Sequence, residues 1–226
     1  MALGPERIVL AVDRADAPLE GAVALAERTG GALEVRYVVD AGWAYLHHYP
    51  AIAHAGGGPP ADLMAPAVRV ARRRLQARLE AQAGGQIVWS VREVTALDPH
   101  GLGRRDLLML AHPRLLRSVT EAACSIHIPG PGRGAEAAVV AFCKDDDEDS
   151  IVTARAVATV SRRRFALVHE GTVGVPGPRE GEEGPLWTQR LGEREFDVRD
   201  WLRAVSPAGV VLPPGAARRL FLALTR

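Results

Sequence analysis

The sequence predicts an α/β fold made of two open parallel-sheet units, the second truncated and lacking its last strand. Three observations carry this. An apolar run, an amphipathic helix and a second apolar run follow one another within residues 7–39. The same succession starts again near residue 137. Between them stands Pro129-Gly-Pro-Gly-Arg-Gly134, whose prolines and glycines interrupt any regular element. Parallel strands joined by helices are covered on both faces, so they read as unbroken apolar runs rather than alternating ones.

In the first unit, Ile8–Val12 is such a run, closed by Asp13 and the polar turn Arg14-Ala-Asp16. Pro18 suits a first helical turn, where a missing N–H costs nothing. Leu19, Ala22, Val23 and Ala26 recur at three- and four-residue spacing and form one apolar helical face. Gly30-Gly31 stops that helix, and Leu33–Val39 is the second strand. Residues 40–60 form a long connection with Trp43, Tyr45, His47, His48, Tyr49 and His54. The histidines fit no compact ligand spacing and have no cysteine or acid cluster beside them, so a loop packing its aromatics is expected rather than a metal site.

A helix is expected over residues 61–83, with Leu63, Ala67, Val70, Ala71, Leu75 and Leu79 as its stripe and Gly84-Gly85 as its stop. Residues 87–94 make the third strand. Thr95 to Arg105, broken by Pro99, Gly101 and Gly103, leaves room for a turn or two of helix at most. Asp106–Ala111 is the fourth strand, Leu115–Ala123 a short helix, and Cys124–Ile128 the fifth strand.

The second unit opens with Ala137–Cys143. The acidic turn Lys144-Asp-Asp-Asp-Glu-Asp149 follows, then Ser150 as a helix N-cap and a helix over 151–163 with Val152, Ala156 and Val160 on one face. Phe165–His169 is its second strand. Residues 171–185 form a Gly/Pro/Glu-rich loop where a helix would be expected. Leu186–Leu191 echoes Val88-Trp-Ser-Val-Arg92. Residues 196–205 are helical, Gly209–Leu212 is a fourth strand, and 216–224 a last short helix. The expected division is residues 5–129, a linker at 130–136, and a degenerate copy over 137–226.

The chain has 226 residues, a formal net charge of +1 and 47% hydrophobic residues. Its arginines are scattered, with local runs at Arg72–Arg74 and Arg162–Arg164. Both runs are expected at helix carbonyl ends, where cations are favoured, and no nucleic-acid partner is expected. The two cysteines, Cys124 and Cys143, lie in apolar runs and read as buried thiols of a reducing compartment. No apolar stretch reaches the ~18–20 residues of a membrane span, so a cytoplasmic protein without membrane insertion is expected.

Ile8-Val-Leu-Ala-Val-Asp13, the small-residue helix, Arg28-Thr-Gly-Gly-Ala-Leu33 and Tyr37-Val-Val39 together resemble the opening of a universal stress protein (UspA-like) domain. The resemblance implies strand order 3-2-1-4-5 and a crevice between strands one and four. In ATP-binding members an Asp at the end of strand one, backbone at the end of strand two and a Gly-x2-Gly-x9-Gly-Ser/Thr loop hold the nucleotide there. Asp13 matches the first and Val39 the second. Ser118-Val-Thr-Glu121 resembles the end of the third, but Arg117 replaces the glycine before that serine, Ala111-His112 stand where the first glycine belongs, and the loop is about half as long. Bare backbone amides are what a phosphate needs, and Pro113 adds none. Asp13, Val39 and Ser118 are therefore expected to line a vestigial crevice, with Arg114 and Arg117 able to hold a smaller anion.

No nucleophile elbow, Cys/His pair signature or ligand-spaced cluster is present, so no catalytic set, cofactor or metal is expected. His112 and His127 near the crevice read as packed or surface histidines. The expected function is a non-enzymatic stress-response regulator acting through protein contacts, as a homodimer or with a partner at the sheet edge left open by the missing last strand. A nucleotide-binding switch and a small-ligand binder using residues 43–49 are the alternatives.

Overall fold

The computed structural model describes residues 4–39, 61–95, 97, 101–119, 122–134, 136–143, 148–170, 185–186, 188–191 and 198–215. The 40–60 loop, most of the 171–185 loop, residues 144–147 and the 216–224 helix therefore lie outside the described residues.

Among the described residues nine strands form one sheet. They are β1 (Arg7–Val12), β2 (Ala32–Val38), β3 (Trp89–Val94), β4 (Asp106–Leu110), β5 (Ser125–Pro129), β6 (Val139–Cys143), β7 (Phe165–Glu170), β8 (Thr188–Leu191) and β9 (Gly209–Leu212). Their order is β3-β2-β1-β4-β5-β9-β6-β7-β8. The first five strands are parallel in the expected order 3-2-1-4-5. β6 to β9 are parallel among themselves, in the order β8-β7-β6-β9.

The two blocks meet through β5 and β9, which pair antiparallel with Ile126 opposite Leu212 and Ile128 opposite Val210. This corrects the expected open edge. The place beside β9 where a fifth strand of the second unit would lie is held by β5 of the first. A dimer through that edge is excluded because its backbone groups already have a ladder.

The helices are α1 (Glu20–Thr29), α2 (Ala61–Ala83), α3 (Glu148–Val160) and α4 (Val198–Val205). α1, α2 and α3 cover one face through Leu25, Leu75, Leu79 and Ala154, packed on Ile8, Leu10, Leu33, Leu107 and Leu167. The other face is covered by Leu97, Leu102, Leu115 and Leu116 from non-α segments and by Val205 of α4, packed on a cluster that includes Val9, Leu108, Ile126 and Val140. β1, β4 and β6 lie between these layers. Their residues from Ile8 to Val12, Asp106 to Leu110 and Val139 to Cys143 are all buried, which is why each reads as an unbroken apolar run. Fully burying one such leucine contributes roughly 2–3 kcal/mol.

Local chemistry explains where elements begin and end. α1 starts at Glu20 with Leu19 as its cap, which leaves Pro18 just outside the first turn rather than within it as expected, and closes at Gly30, whose φ of 68° is the left-handed conformation that glycine adopts without strain. α2 has the expected bounds, but its buried line is Val68, Ala71, Leu75, Leu79 and Ala83, and Val70 faces outward. Arg72–Arg74 lie in mid-helix rather than at its end, and Arg162–Arg164 follow the last residue of α3. The helix-dipole explanation therefore fails for Arg72–Arg74, whereas Arg162–Arg164 stand at the carbonyl end of α3. Ser150 is no cap either. α3 begins at Glu148, where two acids face the positive end of the helix. Ser150 is fully buried in its first turn, its Oγ 3.1 Å from Ser125 Oγ on β5. In place of the helix expected at 115–123, a six-residue 3-10 helix spans Pro113–Ser118. No helix occurs among the described residues of 95–105.

The segment expected as a linker is docked. Gly130 N–H donates to Ala208 O at 2.9 Å and Gly132 N–H to Pro207 O at 3.0 Å, extending the β5–β9 seam. A Cβ on Gly130 would overlap the Pro207 carbonyl oxygen, and one on Gly132 the Ser206 carbonyl oxygen. His127 sits on the same seam rather than at the crevice. Its imidazole approaches Gly209, its Nδ1 has no hydrogen-bond partner among the described residues, and burial pushes its pKa down to about 4.

Gly132→Ala should destabilise the protein by about 2 kcal/mol in urea unfolding because main chain cannot yield as a side chain can. Gly21→Ala, in a helical position with open space, should add about 0.5 kcal/mol. Below about pH 6.5 the unfolded chain protonates His127 before the folded chain does, so stability should fall from there toward pH 4, by about 2 kcal/mol. His127→Leu should remove that part of the slope, measured as the difference between wild-type and variant unfolding free energies across the window.

Candidate functional site

Strand order reverses at β1, with β2 on one side and β4 on the other, so the carboxyl ends of β1 and β4 mark the place where an open α/β sheet receives a ligand. The β1–β4 ladder continues one residue past β4, with Ala111 N–H donating to Ala11 O at 2.9 Å. Asp13 follows β1 directly. Beyond Ala111 the chain is extended at His112 and enters the 3-10 helix at Pro113, whose absent N–H suits a first position. His112 Nδ1 accepts from the backbone N–H of Arg114 at 3.2 Å and caps this turn.

That cap aims Arg114 at Asp13. Arg114 Nε donates to Asp13 Oδ2 at 2.6 Å, and its Nη2 lies 2.5 Å from the same oxygen. The Asp13 side chain is only 7% exposed and that of Arg114 23%, so the pair is poorly screened by solvent. Partial burial, and then the adjacent Arg114 cation, push the His112 imidazole below its ordinary pKa, against the opposing pull of Asp13. Tyr37, buried near the end of β2, has its phenol pushed up by burial first and then by the negative charges of Asp13 and Glu93. The loop after Asp13 is fixed from α2, where Arg78 Nη1 donates to the carbonyls of Ala15 at 2.7 Å and Ala17 at 2.9 Å.

The structure brings two of the five expected site residues into contact, Asp13 and Arg114. Val39 lies at the end of β2, but its N–H already donates to Val94 O at 2.7 Å. The backbone of Arg117 and Ser118 closes the 3-10 helix, while their side chains lie outside the described residues. A small-anion site using Arg114 would have to compete with Asp13 for the guanidinium. The ion pair joins two residues that the sequence marks only singly. The available signal was a cation placed soon after strand four and an acid placed at the end of strand one.

The corresponding place in the second block is at the opposite end of the sheet, because the seam reverses strand direction. There β6 ends at Cys143 and β9 at Leu212. Gly215 has a φ of 73°, and its N–H donates to Ala122 O at 3.0 Å, so its amide is engaged. Lys144 and Asp145 lie outside the described residues. Among the described residues no group of three or more His, Cys, Asp or Glu is placed to hold a metal ion. No helix of the described residues is long and apolar enough to cross a membrane.

No family model and no curated protein matches the chain. Among solved structures it is similar to a functionally unknown protein from Pseudomonas aeruginosa, with 11% identity, 100% of this chain and 99% of that one covered, and a TM-score of 0.49. It is also similar to a candidate universal stress protein from Pseudomonas aeruginosa, with 9% identity, coverage of 99% and 97%, and a TM-score of 0.48. A third is the cytoplasmic domain of a prokaryotic cation chloride cotransporter, with 8% identity, coverage of 97% and 99%, and a TM-score of 0.44. At these identities and scores, the α/β class and strand order rest on the chain's own ladders.

Proposed function

We propose that this chain is a non-enzymatic regulatory protein of the universal-stress-protein type that does not take ATP between β1 and β4 and acts through protein contacts. The observation that carries the reading is the Asp13–Arg114 ion pair at the switch point. An acid that would meet a nucleotide is instead neutralised by a side chain of the same chain. A nucleotide would have to displace the guanidinium and leave Asp13 facing a polyanion. It would gain few amides in return, since the segment after β4 supplies His112, Pro113 and a short 3-10 turn. The block over β6–β9 fits a degenerate copy of the same unit, and its lone glycine amide at Gly215 is engaged as well.

Titration calorimetry with Mg-ATP should give no binding heat for the wild type up to millimolar nucleotide. A Kd below about 100 μM that Asp13→Ala abolishes would overturn the reading. The pair itself should be visible in stability. Arg114→Ala should cost about 2 kcal/mol by leaving a buried carboxylate without its counter-charge. Asp13→Ala/Arg114→Ala should be about 1 kcal/mol more stable than the sum of the two single changes predicts.

A further inference from the structure

We infer that the outer edge of β3, beneath the arginines of α2, is a docking site for an extended acidic segment of a partner protein. The inference rests on the reading that the chain works through protein contacts, and names the surface and the chemistry of the contact.

β3 ends the strand order, and no described strand pairs with its outer side. Its inner side is fixed at both ends, by Leu33 N–H on Val88 O at 2.9 Å and by Val39 N–H on Val94 O at 2.7 Å. In a parallel ladder the inward groups then belong to alternate residues from Val88 to Val94. The N–H and C=O groups of Trp89, Val91 and Glu93 therefore point away from β2. Such a row is completed by another peptide backbone, which a nucleic acid or a lipid surface cannot provide.

The side chains around that edge select the partner's charge. Arg72 on α2 reaches Glu93 at 3.5 Å, which places this side of α2 over β3. Arg69 is one turn earlier on the same stripe and Arg73 lies beside it. Both are exposed and make no ion pair with any described residue. On the opposite face of the sheet Arg92, 70% exposed, lies 3.7 Å from Glu34. Side chains of an added strand alternate between the two faces, so carboxylates on either face would meet a guanidinium. Val88, 79% exposed just before β3, offers apolar surface at the same edge. With the helix-dipole explanation removed, charge complementarity to an acidic strand accounts for the arginine run on α2.

The test uses the full chain and a fluorescent peptide alternating glutamate and valine, with a lysine–valine peptide and single-stranded oligothymidylate as comparisons. The glutamate peptide should bind at low salt and the other two should not. Arg69→Glu/Arg73→Glu should weaken it about tenfold, as expected for two reversed surface charges. Glu93→Pro, which removes one outward N–H from an edge position that tolerates proline, should also weaken it about tenfold. Matched thermal unfolding of both variants would show that the fold is intact. Absence of binding to the wild type, unchanged binding to Glu93→Pro, or equal binding of oligothymidylate would overturn the site. None of these outcomes touches the ATP titration, which decides the broader reading independently.

Discussion

The antiparallel pairing of β5 with β9 is the constraint on which the rest of the structure depends. It makes one nine-stranded sheet out of two parallel blocks and fixes their relative direction. Because the direction reverses at the seam, the two switch points open at opposite ends of the sheet and cannot share a ligand. It also removes two edges at once, leaving β3 and β8 as the outer strands of the described sheet. The glycines at 130 and 132 follow from it, since the main chain of Pro207 and Ser206 approaches too closely for any Cβ.

Electrostatics follow from the same frame. The sheet is buried between its two covering layers, so a charge beside its central strands is costly unless it is paired. Arg7 bonds Asp106 where β1 and β4 begin, and Asp106 also accepts from Gly103 N–H at 2.7 Å, fixing the irregular turn that enters β4. Arg114 meets Asp13 where the same two strands end. The central strand pair is thus clamped at both ends by an arginine–aspartate contact. The second clamp stands at the switch point, so the contact that ties these strand ends together is also the one on which the proposed function rests.

Much of this was legible in the residues, for a physical reason. Strands buried on both faces carry unbroken apolar runs, so β1, β4, β6 and β9 could be found by composition alone, and helix stops at Gly30 and Gly84-Gly85 by their φ requirement. Contacts distant in sequence were not legible. Nothing in Val210–Leu212 says whether its neighbour runs parallel or antiparallel, so the seam was missed and an open edge expected in its place. Gly130 and Gly132 read as linker residues because glycine serves both looseness and close approach. Ser150 read as a cap because serine favours that position, whereas burial beside Ser125 gives it a different role. Asp13 and Arg114 are 101 residues apart, and only the sheet brings them together.

Native-state hydrogen exchange at the seam tests the account most directly. If the two blocks are one cooperative sheet, the amides of Ile128 and Val210 should exchange only through global unfolding, with the same free energy and denaturant dependence as Leu10 and Leu108 at the centre of the first block. Exchange of Ile128 and Val210 through a smaller, denaturant-insensitive opening, while Leu10 stays protected, would show that the blocks part without unfolding and would contradict the single-sheet account.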